Sequence, residues 1–192
     1  SMANTSATGG YLLPTTGPIE GISQAHFFHS VIEGISGFSA SLVRQAFQGR
    51  VPPQPEANID WVAFHISRRE MDDNSFVKRN EPNALSIRHE RIEIQCFFYG
   101  PKSHGNAAML LDGFLIAQNL EALFLVGMGF IMASAIQHVP ELINGIYFSR
   151  SDVTLIFTAE NRRVYPVLTF LSARGTTHTE KFNENFDTLE VA

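Results

Sequence analysis

Two histidines at helical spacing are the first candidates for chemistry in this sequence. His26 and His29 are three residues apart in a segment with helical periodicity, so both could face one metal ion. A zinc site needs more ligands than these two, and no carboxylate, cysteine or third histidine follows at the usual spacing. We therefore interpret the pair as partly exposed helix histidines and expect no metal site.

Three polar clusters fall short of the functional patterns that they partly match. Asp72-Asp73-Asn74 lacks the glycine and the distal glutamate of a calcium loop, and Gly127-Met128-Gly129 lacks the third glycine of a phosphate-binding turn. His89 and Glu90 are adjacent on a predicted strand, so their side chains point to opposite faces. The sequence also has no Gly-x-Ser-x-Gly nucleophile motif. We expect no catalytic residues, no enzymatic activity and no cofactor.

One enzymatic alternative stays open on sequence grounds. A pocket between the helical segment 104–126 and the sheet could use His65, His89 or Glu121 as binding or acid–base groups. A deep cleft lined by these side chains would favour a small enzyme or ligand-binding domain. A flat apolar side face would instead favour a subunit of an assembly.

Composition limits the classes of protein that remain. Apolar residues make up 44% of the 192 residues, which is enough for a sizeable core, and 16 residues are phenylalanine. Large rings without a polar group suit cores and permanent interfaces. The formal charge is −5, and no segment carries clustered cations that would bind phosphates, so we expect no specific nucleic-acid binding. Cys96, the one cysteine, is expected to be a buried small hydrophobe.

Hydrophobic periodicity predicts the elements at the start of the chain. Apolar residues three and four apart predict a helix that is capped by Ser23 and ends at Gly34 or Gly37. A short strand over 42–47 follows. The proline-rich segment 51–55 is a stiff connector that cannot lie inside a sheet.

Period-two alternation then predicts two antiparallel strands, each with one buried face. The first covers 61–67, and the second ends before Gly100-Pro101. The charged segment 69–84 between them predicts a solvated hairpin loop. The buried faces of the two strands consist of Val62, Phe64, Ile66, Ile92, Ile94, Cys96 and Phe98.

The second half is predicted to contain one long helix and several strands. Residues 104–126 are apolar nearly all round, so this helix should lie in the core or under a subunit contact. We predict a short strand over 130–138 and a turn or a single helical turn over 139–145. A hairpin of the strands 153–158 and 164–172 follows, with its turn at 160–163. This order of elements predicts an α+β fold, with an antiparallel or mixed sheet covered by two main helices.

Composition divides the chain into a domain with two arms. Residues 1–22, rich in Gly, Ser, Thr and Pro, predict an extended N-terminal arm, and a single domain follows over 23–175. The polar tail 176–192 is predicted to dock on a partner as a helix, since three apolar residues recur in it at helical spacing: Phe182, Phe186 and Leu189. The longest apolar stretch, within 107–136, is broken by charged and polar residues, so we expect no membrane span.

A set of short motifs occurs in order between residues 42 and 175. It consists of Trp61 after the proline-rich connector, Arg88-His89-Glu90, Phe98-Tyr99-Gly100-Pro101, Asp112-Gly113, Gln118-Asn119, Gly127-Met128, Val139-Pro140-Glu141-Leu142, Arg150-Ser151-Asp152 and Arg163-Val164-Tyr165. In this order and spacing, the set resembles the phage neck or tail terminator family, whose members cap a tail tube where it meets the head connector. The first strand, Arg44-Gln45-Ala46-Phe47, is less basic and less aromatic than the resemblance leads us to expect.

The resemblance implies a bacteriophage structural protein that works as a ring, by analogy a hexamer, without catalysis or cofactors. Its implied partners are other copies of the chain, the tail tube protein, and the head connector or head-completion protein. DNA would pass through the ring, and an acidic subunit would repel it. The implied location is the virion neck or tail, after assembly in the host cytoplasm. Another virion subunit of similar fold, such as a tail tube or head-completion protein, remains the alternative.

We expect the segment 69–84 and the two terminal arms to contact other virion proteins. The cations of the region 43–91 would face an acidic partner, and the arms would clasp neighbours. The predicted interface residues are Arg68, Arg69, Lys78 and Arg79 in that region, and Phe182, Phe186 and Leu189 in the tail.

Overall fold

The computed structural model describes residues 10–49, 52–80, 82–143 and 145–167, together with the backbone of 175–178 and 183–186. The described residues fall into two compact units. The larger unit comprises Pro18–Phe76 and Ile87–Arg162, and the smaller is drawn from the described parts of 1–17, 77–86 and 163–192. Helices and a mixed sheet together confirm the predicted α+β class. The division into two arms and one domain stays a prediction.

The described elements are three helices, one short 3-10 turn and eleven strands. The helices are α1 Ile22–Ser36, α2 Ser103–Gly113 and α3 Ala117–Leu125, and the 3-10 turn is Ala40–Leu42. The strands are β1 Val43–Gln45, β2 Trp61–Met71, β3 Phe76–Asn80, β4 Asn83–Tyr99, β5 Met128–Ala133, β6 Gln137–His138, β7 Glu141–Ile143, β8 Ile146–Phe148, β9 Arg150–Pro166, β10 Gly175–His178 and β11 Asn183–Phe186.

The main sheet is mixed and has two open ends. Its strand order is β1-β2-β4-β9-β5, with β3 also paired to β4 and β6 also paired to β9. β1 runs parallel to β2, whereas β2 is antiparallel to β4, and β5 is antiparallel to β9. A β-bulge interrupts the β5–β9 pairing between Phe130 and Met132. In the larger unit, the sheet therefore ends at β1 on one side and at β5 on the other.

The predicted first helix is confirmed, but its predicted start is wrong. α1 begins at Ile22 with Gly21 at the N-cap position, and no side chain caps it. Ser23 lies inside the first turn instead. Gly37 ends the helix as predicted, because its φ of 70° is a left-handed conformation that glycine adopts without a steric penalty.

The predicted helix over 104–126 is two helices. α2 and α3 are bent by 71° relative to each other. The Asn119 side chain donates to the Gly113 carbonyl at 2.9 Å. In a continuous helix, a backbone N–H four residues later would bond to this carbonyl. A Cβ on Gly113 would lie 2.2 Å from Ile35 Cγ2, so glycine permits α2 to end in contact with α1. No single described helix is long and apolar enough to cross a membrane; α2 and α3 meet that test only as a bent pair.

Three other sequence expectations are corrected. The segment 69–84 is mostly strand, since β2 extends to Met71 and β3 pairs with β4. Its polar residues correctly indicated exposure to solvent, but they did not indicate an irregular backbone. The segment 139–145 contains β7, which pairs with β8 across a turn where Gly145 has a φ of 81°. The predicted hairpin within 153–172 is the single strand β9 up to Pro166, because Asn161 is buried within the presumed turn and donates to Glu90.

The other strand predictions hold, with changed bounds. β1 confirms the short strand at 42–47, and β2 and β4 have the predicted buried faces. The predicted strand over 130–138 is the pair β5 and β6, both antiparallel to β9. Of the predicted N-terminal arm, residues 10–21 form only isolated bridges, one of which joins Thr16 to Val164 within the smaller unit.

The core of the larger unit lies between the helices and one face of the sheet. α1, α2 and α3 all contribute buried apolar side chains, which pack against alternate residues of β2, β4 and β9. The fully buried rings are Phe28, Phe64, Phe98, Phe114 and Phe157. Cys96 is in this core as predicted, and desolvation raises the pKa of its thiol, so it stays protonated. We call this side of the sheet the helix-covered face.

Candidate functional site

The opposite side of the sheet, which we call the open face, carries an aromatic layer near β1. Trp61 and Tyr99 are register partners on β2 and β4, and their rings stack at 4.3 Å with an interplanar angle of 7°. Both are buried, together with Ala63 and Phe148, and Phe97 packs on the same cluster. Because side chains of a strand alternate between faces, Trp61 and Ala63 of β2 and Phe97 and Tyr99 of β4 form this layer, while the even-numbered residues between them enter the core.

Arg150 at the start of β9 holds a charged network over this layer. Its Nε and Nη2 donate to the two Asp152 carboxylate oxygens, each at 2.7 Å, and its Nη1 donates to Glu141 Oε2 at 2.9 Å. The guanidinium lies 4.5 Å from the centre of the Phe97 ring. The hydrogen bonds with Asp152 raise the pKa of Arg150, so it stays charged.

Tyr99 joins the aromatic layer to the charged network. Its hydroxyl donates to Glu141 Oε2 at 3.1 Å. Burial raises the pKa of Tyr99 to about 12, and the nearby Glu141 carboxylate acts in the same direction. Neither Arg150 nor Tyr99 changes protonation near neutral pH, so the network is suited to fixing geometry and not to proton transfer.

A cavity of about 310 Å³ opens beside this layer, between the aromatic rings and β1. Its walls include Arg44, Phe47, Trp61, Phe97, Tyr99 and Arg150. This volume is near the lower end for small-molecule sites. The lining is mostly aromatic and apolar, and among the described residues its charged members are Arg44, Arg150 and Glu141. We call it the β1 cavity.

Phe47 forms the outer lip of the β1 cavity. It is the only non-glycine residue with positive φ, 57°, in the part of the chain described, and 83% of its surface is exposed. Its ring meets the His65 ring edge-on at 4.8 Å, and His65 stacks on Phe97 at 5.6 Å. A strained, exposed aromatic residue beside a cavity is typical of a surface that functions in contact with something else.

His65 packs between two aromatic rings, those of Phe47 and Phe97. Burial lowers the pKa of its imidazole, so the ring is neutral at physiological pH. Its Nδ1 is buried without a hydrogen-bond partner among the described residues. The structure does not bring His65 together with the other two candidates of the enzymatic alternative, since exposed His89 lies on β4, exposed Glu121 lies on α3, and none of the three lines the β1 cavity.

The other end of the sheet carries an exposed apolar surface, which we call the α3 ridge. Leu125 and Phe124 at the end of α3 are 87% and 62% exposed. Leu115 and Ile116, in the link between α2 and α3, and Ile131 and Met132 on β5 are also at least half exposed. A contiguous patch of exposed large apolar side chains is typical of a site that binds another molecule.

The four predicted interface cations occupy different environments. Arg69 pairs with the buried Glu90 carboxylate, with Nη2 2.8 Å from Oε2, and the hydrogen bond to Glu90 raises the pKa of Arg69. Arg68 pairs with Glu70 at 3.0 Å on the exposed side of β2. Lys78 and Arg79 lie exposed on β3. Arg69 is thus already used inside the fold.

The three predicted interface residues of the tail lie wholly or partly outside the described residues. Phe182 and Leu189 lie outside the described residues, and only the backbone of Phe186 is described. That backbone is in β11, which pairs with β10, so 183–186 is extended here and not helical. The docking role of the tail stays a prediction.

The histidine pair on α1 has a local structural role. His29 Nε2 lies 2.9 Å from the Val43 carbonyl and 3.2 Å from the Ala40 carbonyl, so His29 joins α1 to β1. Among the described residues, no three His, Cys, Asp or Glu side chains are grouped as metal ligands.

The aromatic layer and the β1 cavity were not predicted as a site, although four of their residues, Trp61, Tyr99, Glu141 and Arg150, lie in the motifs noted above. The signal that could have found them is the strand register: if Trp61 opens one antiparallel strand and Tyr99 closes the next, the two rings must be neighbours.

Comparison with protein families identifies the class of this molecule. The sequence model of the phage neck terminator protein family matches residues 29–181 of the 192. The chain belongs to this family, and it is a structural component of the phage neck. A search of curated proteins gave no match.

Proposed function

We propose that the chain is the subunit of a ring that caps the tail tube of a phage and joins it to the head connector. The observation that carries this proposal is the difference between the two ends of the sheet. One end presents the β1 cavity and the other presents the α3 ridge. Membership of the neck terminator family agrees with it.

Unlike surfaces at opposite edges favour a ring over a two-fold dimer. A two-fold dimer needs one self-complementary patch, whereas a head-to-tail contact joins two different patches and closes when the rotation per subunit divides a full turn. A cavity and a ridge on opposite edges meet the second requirement. By analogy with tail terminators we expect six copies.

Charge supports a role as a DNA conduit that does not bind its cargo. The formal charge is −5, and a ring of acidic subunits would repel phosphate overall. The partners in this proposal are other copies of the chain, the tail tube protein and the head connector or head-completion protein. Assembly would take place in the host cytoplasm.

A phage with an early stop codon in the gene for this chain tests the proposal. We expect DNA-filled heads and separate tails in lysates examined by electron microscopy, because the joint between them is missing. Wild-type protein supplied in trans should restore joined particles. An epitope tag on the supplied chain should label the neck. Normal joined particles without the chain, or label elsewhere in the virion, would contradict the proposal.

A further inference from the structure

The rim of the β1 cavity carries a cation without a carboxylate partner. Arg44 Nε donates to the Ser41 carbonyl at 3.1 Å and Nη1 donates to the Pro53 carbonyl at 2.6 Å. Its guanidinium lies 5.5 Å from the centre of the Trp61 ring. These contacts hold the side chain in place but leave its charge unneutralised among the described residues.

The α3 ridge carries the opposite charge. Glu121 is exposed and precedes Phe124 and Leu125 by three and four residues, so the three side chains share one helix face. Glu121 has no ion pair with any residue in the described ranges. The C-terminal end of α3 adds a partial negative charge beside Leu125.

We propose that the α3 ridge of one copy docks in the β1 cavity of the next copy. Phe124 and Leu125 would enter between Phe47 and the aromatic layer, and Glu121 would pair with Arg44 of the neighbouring copy. The proposal rests on the ring proposed above and names the two surfaces that build it.

Three features of the structure favour a second copy as the occupant. The cavity is aromatic with a positive rim, and the ridge is apolar with a negative flank, so they match in both polarity and charge. They lie at opposite ends of one sheet, so a single contact leaves each copy with one unused surface, and the contact can repeat around a ring. Docking would also cover Phe47, whose strained and exposed conformation is otherwise unexplained.

Cysteine cross-linking in assembled particles tests the contact directly. Gln48 is exposed on the cavity rim, and the native Cys96 is fully buried. Phage lacking the gene would be supplied with the Gln48→Cys/Leu125→Cys chain, and purified particles would be treated with a bismaleimide. We expect a ladder of covalent multimers beyond the dimer, because each copy then links to two neighbours.

Matched variants separate this contact from others. Asp73→Cys/Leu125→Cys places one thiol in the exposed turn between β2 and β3, and it should give no ladder. Dimers from Leu125→Cys alone would mean that the ridge meets itself, which overturns the proposal. An absent ladder in particles whose necks contain the chain also overturns it, while leaving the ring intact. Absence of the wild-type chain from the necks of normal joined particles would overturn the proposed function itself.

A charge exchange gives a second, independent measurement. Arg44→Glu and Glu121→Arg should each lower the yield of joined particles about tenfold, since each places like charges across the contact. The double variant Arg44→Glu/Glu121→Arg should recover most of the yield. Circular dichroism and thermal unfolding of each purified variant check that the fold is intact. A double variant no better than the worse single variant would contradict the pairing.

Discussion

The two faces of the main sheet in the larger unit are built from neighbouring residues of the same strands, yet they differ in chemistry. The helix-covered face is apolar, with rings such as Phe98 and Phe157 fully buried. The open face layers Trp61, Phe97 and Tyr99 against the Arg150 network and leaves a cavity beside them. The covered face therefore holds most of the fully buried packing, whereas the open face combines aromatic packing with charge and a cavity.

Paired substitutions on β4 should give the largest difference in stability between the two faces. Phe98→Ala removes a fully buried ring and should cost about 3–5 kcal/mol in the free energy of unfolding. Phe97→Ala, one residue away on the open face, should cost well under half as much, because that ring is only half-buried. Urea denaturation of both purified variants measures the two losses. Equal losses would mean that both faces are packed as core.

The hydroxyl of Tyr99 offers a smaller effect with a distinctive pH dependence. Tyr99→Phe should cost about 1–2 kcal/mol near neutral pH, because it removes a hydrogen bond to a carboxylate. The pKa of Tyr99 in the folded chain, about 12, is above its ordinary value near 10, so its contribution is complete below pH 10 and is lost towards pH 12. Thermal unfolding between pH 8 and pH 12 should show a shallower alkaline decline in the variant than in the wild type. Identical alkaline slopes would contradict the assignment.

Substitution of His65 should have the smallest effect on stability, and the effect should appear at acidic pH. Burial lowers its pKa below the ordinary value near 6.5, so the neutral ring contributes stability above that pH and the contribution fades on acidification. His65→Phe keeps a ring between Phe47 and Phe97 and removes the titration. Thermal unfolding between pH 7 and pH 4 should then decline slightly less in the variant. A steeper decline would indicate that protonated His65 is stabilised in the fold.

Local pattern was sufficient for the elements that depend on neighbours in sequence. The strand β4 was predicted because burial of one face requires apolar residues at every second position. The end of α1 was predicted because a left-handed cap favours glycine. The fold class followed from the order of such elements.

The errors lie where a distant residue decides the structure. Residues 160–163 are polar and were predicted to turn, but Asn161 is satisfied by Glu90, which is 71 positions away. The same Glu90 holds Arg69, a residue that the sequence presented as a free cation. The break between α2 and α3 depends on the Asn119 bond to Gly113 and on the approach of Ile35, neither of which periodicity encodes. Cavities are equally non-local, since they arise from the register of strands.

The bulge in β5 has a consequence for solubility. A regular, exposed and apolar edge strand can pair with edge strands of other chains and can seed amyloid-like aggregates. The extra residue between Phe130 and Met132 puts the backbone donors and acceptors of β5 out of regular alignment. We therefore expect β5 to be a poor template for backbone pairing between chains, although Ile131 and Met132 on it are exposed.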